Sequence, residues 1–393
     1  MFPLRQAPPL ETPPLRVLAI AEFDPAGVIL GHRDALRRHA PGLDFRVALH
    51  SAYTERHAAA DWVFERAVSH NLLGGGARAN PSIGHPCANF GPSGCDLSGL
   101  VEFARSADVV QFHPGIGQPW ADKLEVFGPA ARLDPPWAAY FGLAWDRSGL
   151  RGDPSKRYVF PLSTRLPAFV AYFHGSTNAW HHRHAYAKEY GSWSAGLATS
   201  TLDYADGLSG ALGTRPAIYL PPAIELPLLA APPRASDDPL IVAHCPTNPG
   251  ISSTKEFFGL ARKLGVVVRY GHQISPQEVM RIKAECNAGF DHLRGSFSVN
   301  TLENCALGLA PLCGLKWPYA LRLEEEGIAE PPWWGLTEHN ALLDLDDLEV
   351  ALARLAADPS LTCSRQFRAR GWVGRFFSNE AVAKRLVNFY GGL

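Results

Sequence analysis

Two α/β domains, each built on a doubly wound parallel sheet, are what this 393-residue sequence predicts. Three observations carry the prediction. The length exceeds what one ordinary core serves. Short apolar, β-rich runs alternate with amphipathic stretches in strand–loop–helix–strand order, which implies parallel sheets. A stretch with six prolines and little periodicity, LPPAIELPLLAAPPRASDDP (Leu220–Pro239), separates two such series and reads as an interdomain linker.

The elements follow in order. RVLAIAEF (Arg16–Phe23) is a strand, DPAGV a loop, and an amphipathic helix runs to about Ala40. DFRVALH (Asp44–His50), ADVVQFH (Ala107–His113), PAFVAYFH (Pro167–His174), SAGLATS (Ser194–Ser200) and AIYLPP (Ala217–Pro222) are further strands, with ADVVQFH and PAFVAYFH each ending in His like DFRVALH before them. The Gly-, Pro- and Asn-rich segment Asn71–Gly99 is a long loop of the functional or mobile kind. Beyond the linker, LIVAHCP, VVVRYGH, NAGFDHL and APLCGL read as strands. STKEFFGLARKLG, SPQEVMRIKAEC and VNTLENCALG read as the helices between them; Ser275, Pro276 and Glu278 form a capping box at the start of the second. Two or more helices close the chain, among them LDDLEVALARLAADP and SNEAVAKRLVNFYGGL. The expected division is a proline-rich tail (1–15), an N-terminal domain (16–222), a C-terminal domain (223–376) and a final helix (377–393) crossing back to the N-terminal domain. Two doubly wound sheets joined this way place a ligand between the carboxyl ends of their strands.

Composition narrows the function. With 37 basic and 38 acidic residues, net charge −1, no basic excess points to nucleic acid as a partner. The 46% hydrophobic and 19% charged content argues against disorder over most of the length. Seven scattered cysteines, with Cys87 and Cys95 the one near pair and no C-x-x-C, fit a reduced, cytoplasmic chain. MFPLRQAPPLETPPL lacks the apolar centre of a signal peptide. No run approaches the ~20 apolar residues of a membrane span, and peripheral membrane contact stays open. WHHRH (His181, His182, His184) lacks the i, i+4 spacing that sets two ligands on one helical face, so no metal site is expected. Gly74–Gly76 is not followed by Gly-Lys-Ser/Thr and is no P-loop.

RGSFSVNTLENCALGLAPLCG (Arg294–Gly314) is the most informative stretch. A small polar loop leads from a strand into a short helix with one acid, Glu303. Such loops, at strand ends beside helix N-termini, are where open α/β folds bind phosphate and ribose. Asn300-x-x-Glu303 also fits a capping box, so Glu303 has both a local and a ligand reading; a carboxylate has acceptor sites for both.

IVAHCPTNPGISSTKEF followed by SPQEVMRIKAECNAGFDHLRGSFSVNTLENCALGLAPL resembles the C-terminal domain of the retaining nucleotide-sugar glycosyltransferases of family 4, which have the GT-B fold. FDPAGV, AYFHGSTN, LATSTLDYADGL and YLPPAIEL resemble, more loosely, that family's glycine loop, His-Gly segment and domain-closing strand with linker. The resemblance spans roughly residues 16–315. It implies two Rossmann-like domains facing each other across a cleft, a nucleotide-sugar donor (a UDP-sugar first) on the C-terminal domain, an unidentified acceptor on the N-terminal one, and neither metal nor cofactor.

Carried over by position, Glu303 matches the second acid of the family's E-x7-E motif, which binds the donor ribose; the first acid falls on Gly295 and is missing, with Asp291 nearby. The family's diphosphate-facing Lys falls on Ser252, and the nearest lysine is Lys255. Gly27, Ser252, Lys255, Arg294, Ser298, Val299 and Glu303 are the donor-binding candidates. His174, before Gly175-Ser176, could bond a sugar hydroxyl, and His113 lines the cleft or serves as a base. The reaction expected is sugar transfer with retention, in which a leaving phosphate oxygen takes the acceptor's proton. A non-catalytic GT-B scaffold and a nucleotide-sugar epimerase-like enzyme are the alternatives.

Overall fold

The computed structural model describes residues 14–21, 24, 27–51, 60–65, 103, 106–113, 168–174, 195–202, 217–227, 230–235, 237–246, 249–250, 252–293, 296–333, 336 and 344–393. The long loop 71–99, the WHHRH segment, Cys87, Cys95, Arg294 and Gly295 lie outside these residues.

Among the described residues, seven parallel strands form the first sheet: β1 (Leu15–Ala21), β2 (Leu43–Ser51), β3 (Trp62–Glu65), β4 (Val109–His113), β5 (Ala168–Phe173), β6 (Gly196–Thr199) and β7 (Ile218–Tyr219). Their order is β3-β2-β1-β4-β5-β6-β7, with α1 (Val28–His39) between β1 and β2. The order reverses at β1, where Ala19 lies opposite Val47 on one side and Gln111 on the other. Val17, Leu18 and Ala19 are wholly buried, as a strand covered on both faces must be.

Four parallel strands form the second sheet: β8 (Ile241–His244), β9 (Val267–Tyr270), β10 (Ala288–Phe290) and β11 (Ala310–Leu312), in the order β11-β10-β8-β9. α2 (Thr254–Lys263), α3 (Pro276–Ala284) and α4 (Val299–Ala306) are the crossovers. The switch point here is between β8 and β10. α4 lies close over β10: a Cβ on Gly289 would sit 2.5 Å from the Asn304 side chain, so only glycine permits this approach. Ser275 caps α3 as its sequence suggests, accepting from the Glu278 amide at 3.2 Å.

α5 (Trp317–Glu325), α6 (Leu345–Ala357), α7 (Pro359–Phe376) and α8 (Asn379–Gly391) complete the described chain. β3, α5 and α7 are not anticipated by the sequence reading. β3 has four residues, too few for a period to show, and α7 carries Gly371 and Gly374, which read as breakers. α8 buries Val382, Ala383, Leu386, Phe389 and Tyr390 in the core of the first sheet, against α1, while α7 belongs to the core of the second.

The chain therefore passes between the two cores twice, and the two passages touch. The Ile224 amide donates to the Phe377 carbonyl at 2.8 Å, and Ile224 bridges Ser378 in parallel. Behind them Phe297 packs edge-on to Trp333, Trp372 and Phe377, with ring centroids 5.7, 5.7 and 5.8 Å away. The residue after Phe297 is Ser298, the N-cap of α4, so this aromatic cluster fixes where α4 begins.

Candidate functional site

The carboxyl ends of β8 and β10 hold the first half of the site. Asp291 leaves β10 almost fully buried. It accepts from Ser298 and Thr301 hydroxyls at 2.6 Å each and from the Asn300 amide at 3.0 Å. Burial alone would push this carboxyl up; His292 beside it and the three donors outweigh that and hold it below the ordinary carboxylate range. Asp291 thus ties the end of β10 to the first turn of α4. Ser298 caps α4 by accepting from the Asn300 amide at 3.1 Å. Gly314, just past β11, lets the chain at Leu293 come close, since a Cβ there would meet the Leu293 backbone at 2.6 Å.

Val299 opens α4 and packs against both cores. The N-terminal turn of α4 therefore meets the first sheet's side of the molecule, with its positive dipole end, and the amides that Ser298 does not cap, at the junction.

Glu303 lies one turn further on. The capping-box reading of Asn300 and Glu303 does not hold, because Ser298 is the N-cap. Glu303 instead pairs with Lys283 of α3: Nζ to Oε2 is 2.7 Å, with the lysine side chain 1% and the glutamate side chain 37% exposed. Oε1 has no partner among the described residues. An exposed carboxylate edge held from behind by a buried ammonium is rigid and can still accept from a ligand. Cys245, just past β8, senses both charges; burial pushes its thiol up, against the pull of Lys283.

The loop after β8 leads to α2. Ser252 is nearly buried and its amide donates to the Pro249 carbonyl at 3.3 Å. Ser253, with φ 51°, begins α2 without a side-chain cap, and Lys255 stands exposed in the first turn. His244, at the end of β8, donates through Nδ1 to the Phe290 carbonyl (3.2 Å), and its Nε2 takes the Thr254 hydroxyl at 2.8 Å. Burial lowers its pKa, so it is a neutral strut between β8, β10 and α2.

The carboxyl ends of β1, β4, β5 and β6 hold the second half. Gly27 has φ 71° and starts α1, a conformation that suits glycine. The N-terminus of α1 is already occupied: buried Asp24 accepts from the Ile29 amide at 2.8 Å and the Leu30 amide at 3.0 Å. A carboxylate seated there disfavours a second anion, so Gly27 is not brought to a phosphate-binding turn. His113 and His174 are brought together, Nδ1 to Nε2 at 2.5 Å. His113 Nε2 meets the Gln111 amide nitrogen at 2.7 Å, and His174 Nδ1 meets the Ser200 hydroxyl at 3.3 Å. All four ring nitrogens are engaged within the protein, which leaves neither imidazole a spare nitrogen for a sugar hydroxyl in this arrangement. Burial pushes His113 well down, and the neighbouring His174 adds to this.

The sequence reading passes over Asp24, Lys283, Gln111, Ser200 and Tyr390. Gln111 did leave a signal: an amide inside VVQFH, two residues from His113 and so on the same face. Lys283 left none, since a lysine late in an amphipathic helix reads as solvated. Among the described residues, Asp291, His292 and Cys313 place potential metal-ligand atoms within 4.8 Å of one another. The Asp291 carboxylate is taken up by three donors, and burial holds the Cys313 thiol protonated, so this cluster fastens the loop.

No family model and no curated protein matches this sequence. Solved structures do resemble the fold. The lipopolysaccharide outer core galactosyltransferase WaaB, apo form, matches with TM-score 0.52 at 11% identity, over 96% of this chain and 100% of that one. HepE (Alr3699) of Anabaena in complex with UDP-glucose matches with TM-score 0.54 at 10% identity, over 96% and 100%. An alpha-glucosyltransferase in complex with UDP and a 13-mer DNA containing an HMU base matches with TM-score 0.54 at 9% identity, again over 96% and 100%. At such identities the likeness is one of fold. The fold is GT-B, and the two parallel sheets are its Rossmann-like halves.

Proposed function

We propose that this chain transfers a sugar from a UDP-sugar to an acceptor, with retention of configuration and without a metal, as a glycosyltransferase of the family 4 kind. The observation that carries the reading is α4: its first turn, Ser298–Val299, meets the opposite core, and Glu303 on the same helix offers a carboxylate edge braced by Lys283. Ribose hydroxyls would donate to Glu303 Oε1. The N–H groups at the start of α4 and the uncapped start of α2, with Lys255 and Arg294, would meet the diphosphate as it gains charge in the transition state. A leaving phosphate oxygen would take the acceptor proton, so no dedicated protein base is needed. The complexes of HepE with UDP-glucose and of the alpha-glucosyltransferase with UDP support a uridine donor. The DNA in the latter belongs to that protein; net charge −1 here supports an acceptor other than nucleic acid.

A second reading, a GT-B fold that binds a nucleotide sugar without turning it over, is favoured by one observation. The acid nearest the missing one, Asp291, is committed to shaping the loop.

The test is a thermal-shift panel of UDP-, GDP-, ADP- and TDP-sugars on wild type and Glu303→Ala, each shift taken from that variant's own baseline. A ligand binding at 100 times its Kd contributes about 2.7 kcal/mol. One nucleotide series is expected to stabilise the wild type, with the shift collapsing in the variant. No shift with any series at millimolar concentration removes the donor reading. UDP release that requires an added acceptor separates transfer from epimerisation and from binding alone.

A further inference from the structure

The contact between His113 and His174 is one link of a longer chain of bonds. Tyr390, on α8, places its hydroxyl 2.5 Å from Gln111 Oε1. A carbonyl oxygen only accepts, so the phenol donates; burial pushes the Tyr390 phenol up and keeps its proton on. The other end of the Gln111 amide is then NH₂, which only donates, and its partner at 2.7 Å is His113 Nε2. His113 Nε2 must accept. With this ring neutral, its proton sits on Nδ1, 2.5 Å from His174 Nε2. The two rings lie 21° from coplanar with centroids 4.8 Å apart, the geometry of an in-plane N–H···N bond. His174 Nε2 accepts in turn, so its proton is on Nδ1 and goes to the Ser200 oxygen at 3.3 Å.

The direction is thus set at every link, and it leaves one proton over. Ser200 accepts from His174, and its own hydroxyl hydrogen has no acceptor among the described residues. Ser200 directly follows β6, at the carboxyl edge of the first sheet, 8% exposed, with its backbone amide tied to the Phe173 carbonyl at 3.1 Å.

We propose that Tyr390, Gln111, His113 and His174 form a one-way hydrogen-bond chain that locks both imidazoles as Nδ1–H tautomers and turns the Ser200 hydroxyl into a donor for an oxygen of the bound sugar. Tyr390 and Gln111 are positioning residues; Ser200 is the ligand-contacting end. The Ser200 contact rests on the sugar-transfer reading, whereas the tautomer lock does not.

Long-range ¹H–¹⁵N correlation of the full chain labelled with ¹⁵N-histidine, at pH 7, reads the lock directly. Both rings are expected with a protonated Nδ1 and a pyridine-like Nε2. Either ring found as the Nε2–H tautomer, or as imidazolium, overturns the lock. Gln111→Glu places an acceptor where the amide donates, and the pyridine-like Nε2 signal of His113 is expected to disappear. If it persists in the folded variant, Gln111 does not set the direction. Tyr390→Phe, which keeps the packing, is expected to give a mixture of tautomers at His113; an unchanged single tautomer removes Tyr390 from the chain. With UDP-glucose and UDP as probes, Ser200→Ala is expected to weaken UDP-glucose about 3- to 10-fold relative to UDP, the size of one neutral hydrogen bond. Equal weakening of both overturns the Ser200 contact. No binding of either probe by wild type removes the donor reading and the Ser200 contact with it, while the tautomer arm still decides the lock.

Discussion

Lys283 and Glu303 concentrate the cost of a single change, because one member is buried and the other is at the surface. Glu303→Ala leaves an ammonium with 1% exposure and no counter-charge, and a loss of about 3 kcal/mol in urea denaturation is expected. Lys283→Met replaces that ammonium with an apolar chain of similar length; its expected cost is smaller, about 1 kcal/mol, and its main effect is a weaker nucleotide shift, because Glu303 loses its brace. His32 carries a different liability. It is fully buried, its Nε2 donates to the Pro221 carbonyl at 2.8 Å, and burial pushes its pKa down to about 4 from an ordinary 6.5. Between those values the unfolded chain holds a proton that the native one does not. Stability is therefore expected to fall on acidification from about pH 6.5 to about pH 4, by about 3 kcal/mol at ~1.36 kcal/mol per unit. Urea midpoints at pH 7 and pH 4.5 check this, and His32→Gln is expected to flatten the difference. Most of these groups do not stand out in the sequence. Glu303 does, since its place after a polar strand-end loop marks it, but Lys283 and Pro221 reach their partners only through the fold.

α4 shows how little backbone separates a strand from the helix that serves it. Gly289→Ala would drive a methyl group into Asn304, and the helix must lift or Asn304 must leave its buried rotamer. A loss of about 1–3 kcal/mol is expected, together with movement of the Ser298 cap, visible as faster hydrogen exchange at the Asn300 amide. The elements themselves were largely legible. The apolar strands of both sheets and the capping of α3 follow from pattern and propensity; the place where strand order reverses does not, since a right-handed crossover fits on either side of β1. What the pattern did not hold were elements whose identity comes from tertiary contact: β3, which exists by pairing with β2, and α7, a helix kept whole through two glycines by burial of Trp372 and Val373. The loop after β10 stood out in the sequence as a candidate, but the way it is tied to α4 did not, because Asp291 serves three donors that only folding brings around it.

At the scale of the whole molecule, the core of the first sheet is not closed by its own segment of chain. Val382, Leu386 and Phe389 of α8 lie against α1, and Gly196 of β6 would meet Phe389 at 3.1 Å if it carried a Cβ. Leu386→Ala is expected to cost about 2–5 kcal/mol, measured by urea denaturation. Removing residues 379–393 is expected to expose the face of α1 and abolish cooperative unfolding of the first sheet while the second retains its transition. The touching passages at Ile224 and Phe377 hold α8 to this task from one side. The same arrangement imposes an order on biosynthesis. A ribosome adding about 5–20 residues per second needs roughly 20–70 s to travel from the end of α1 to the start of α8. For that interval the half of the protein made first waits, incomplete, for a helix not yet made. Its apolar face stays bare, open to chaperones, until α8 emerges to supply the lid.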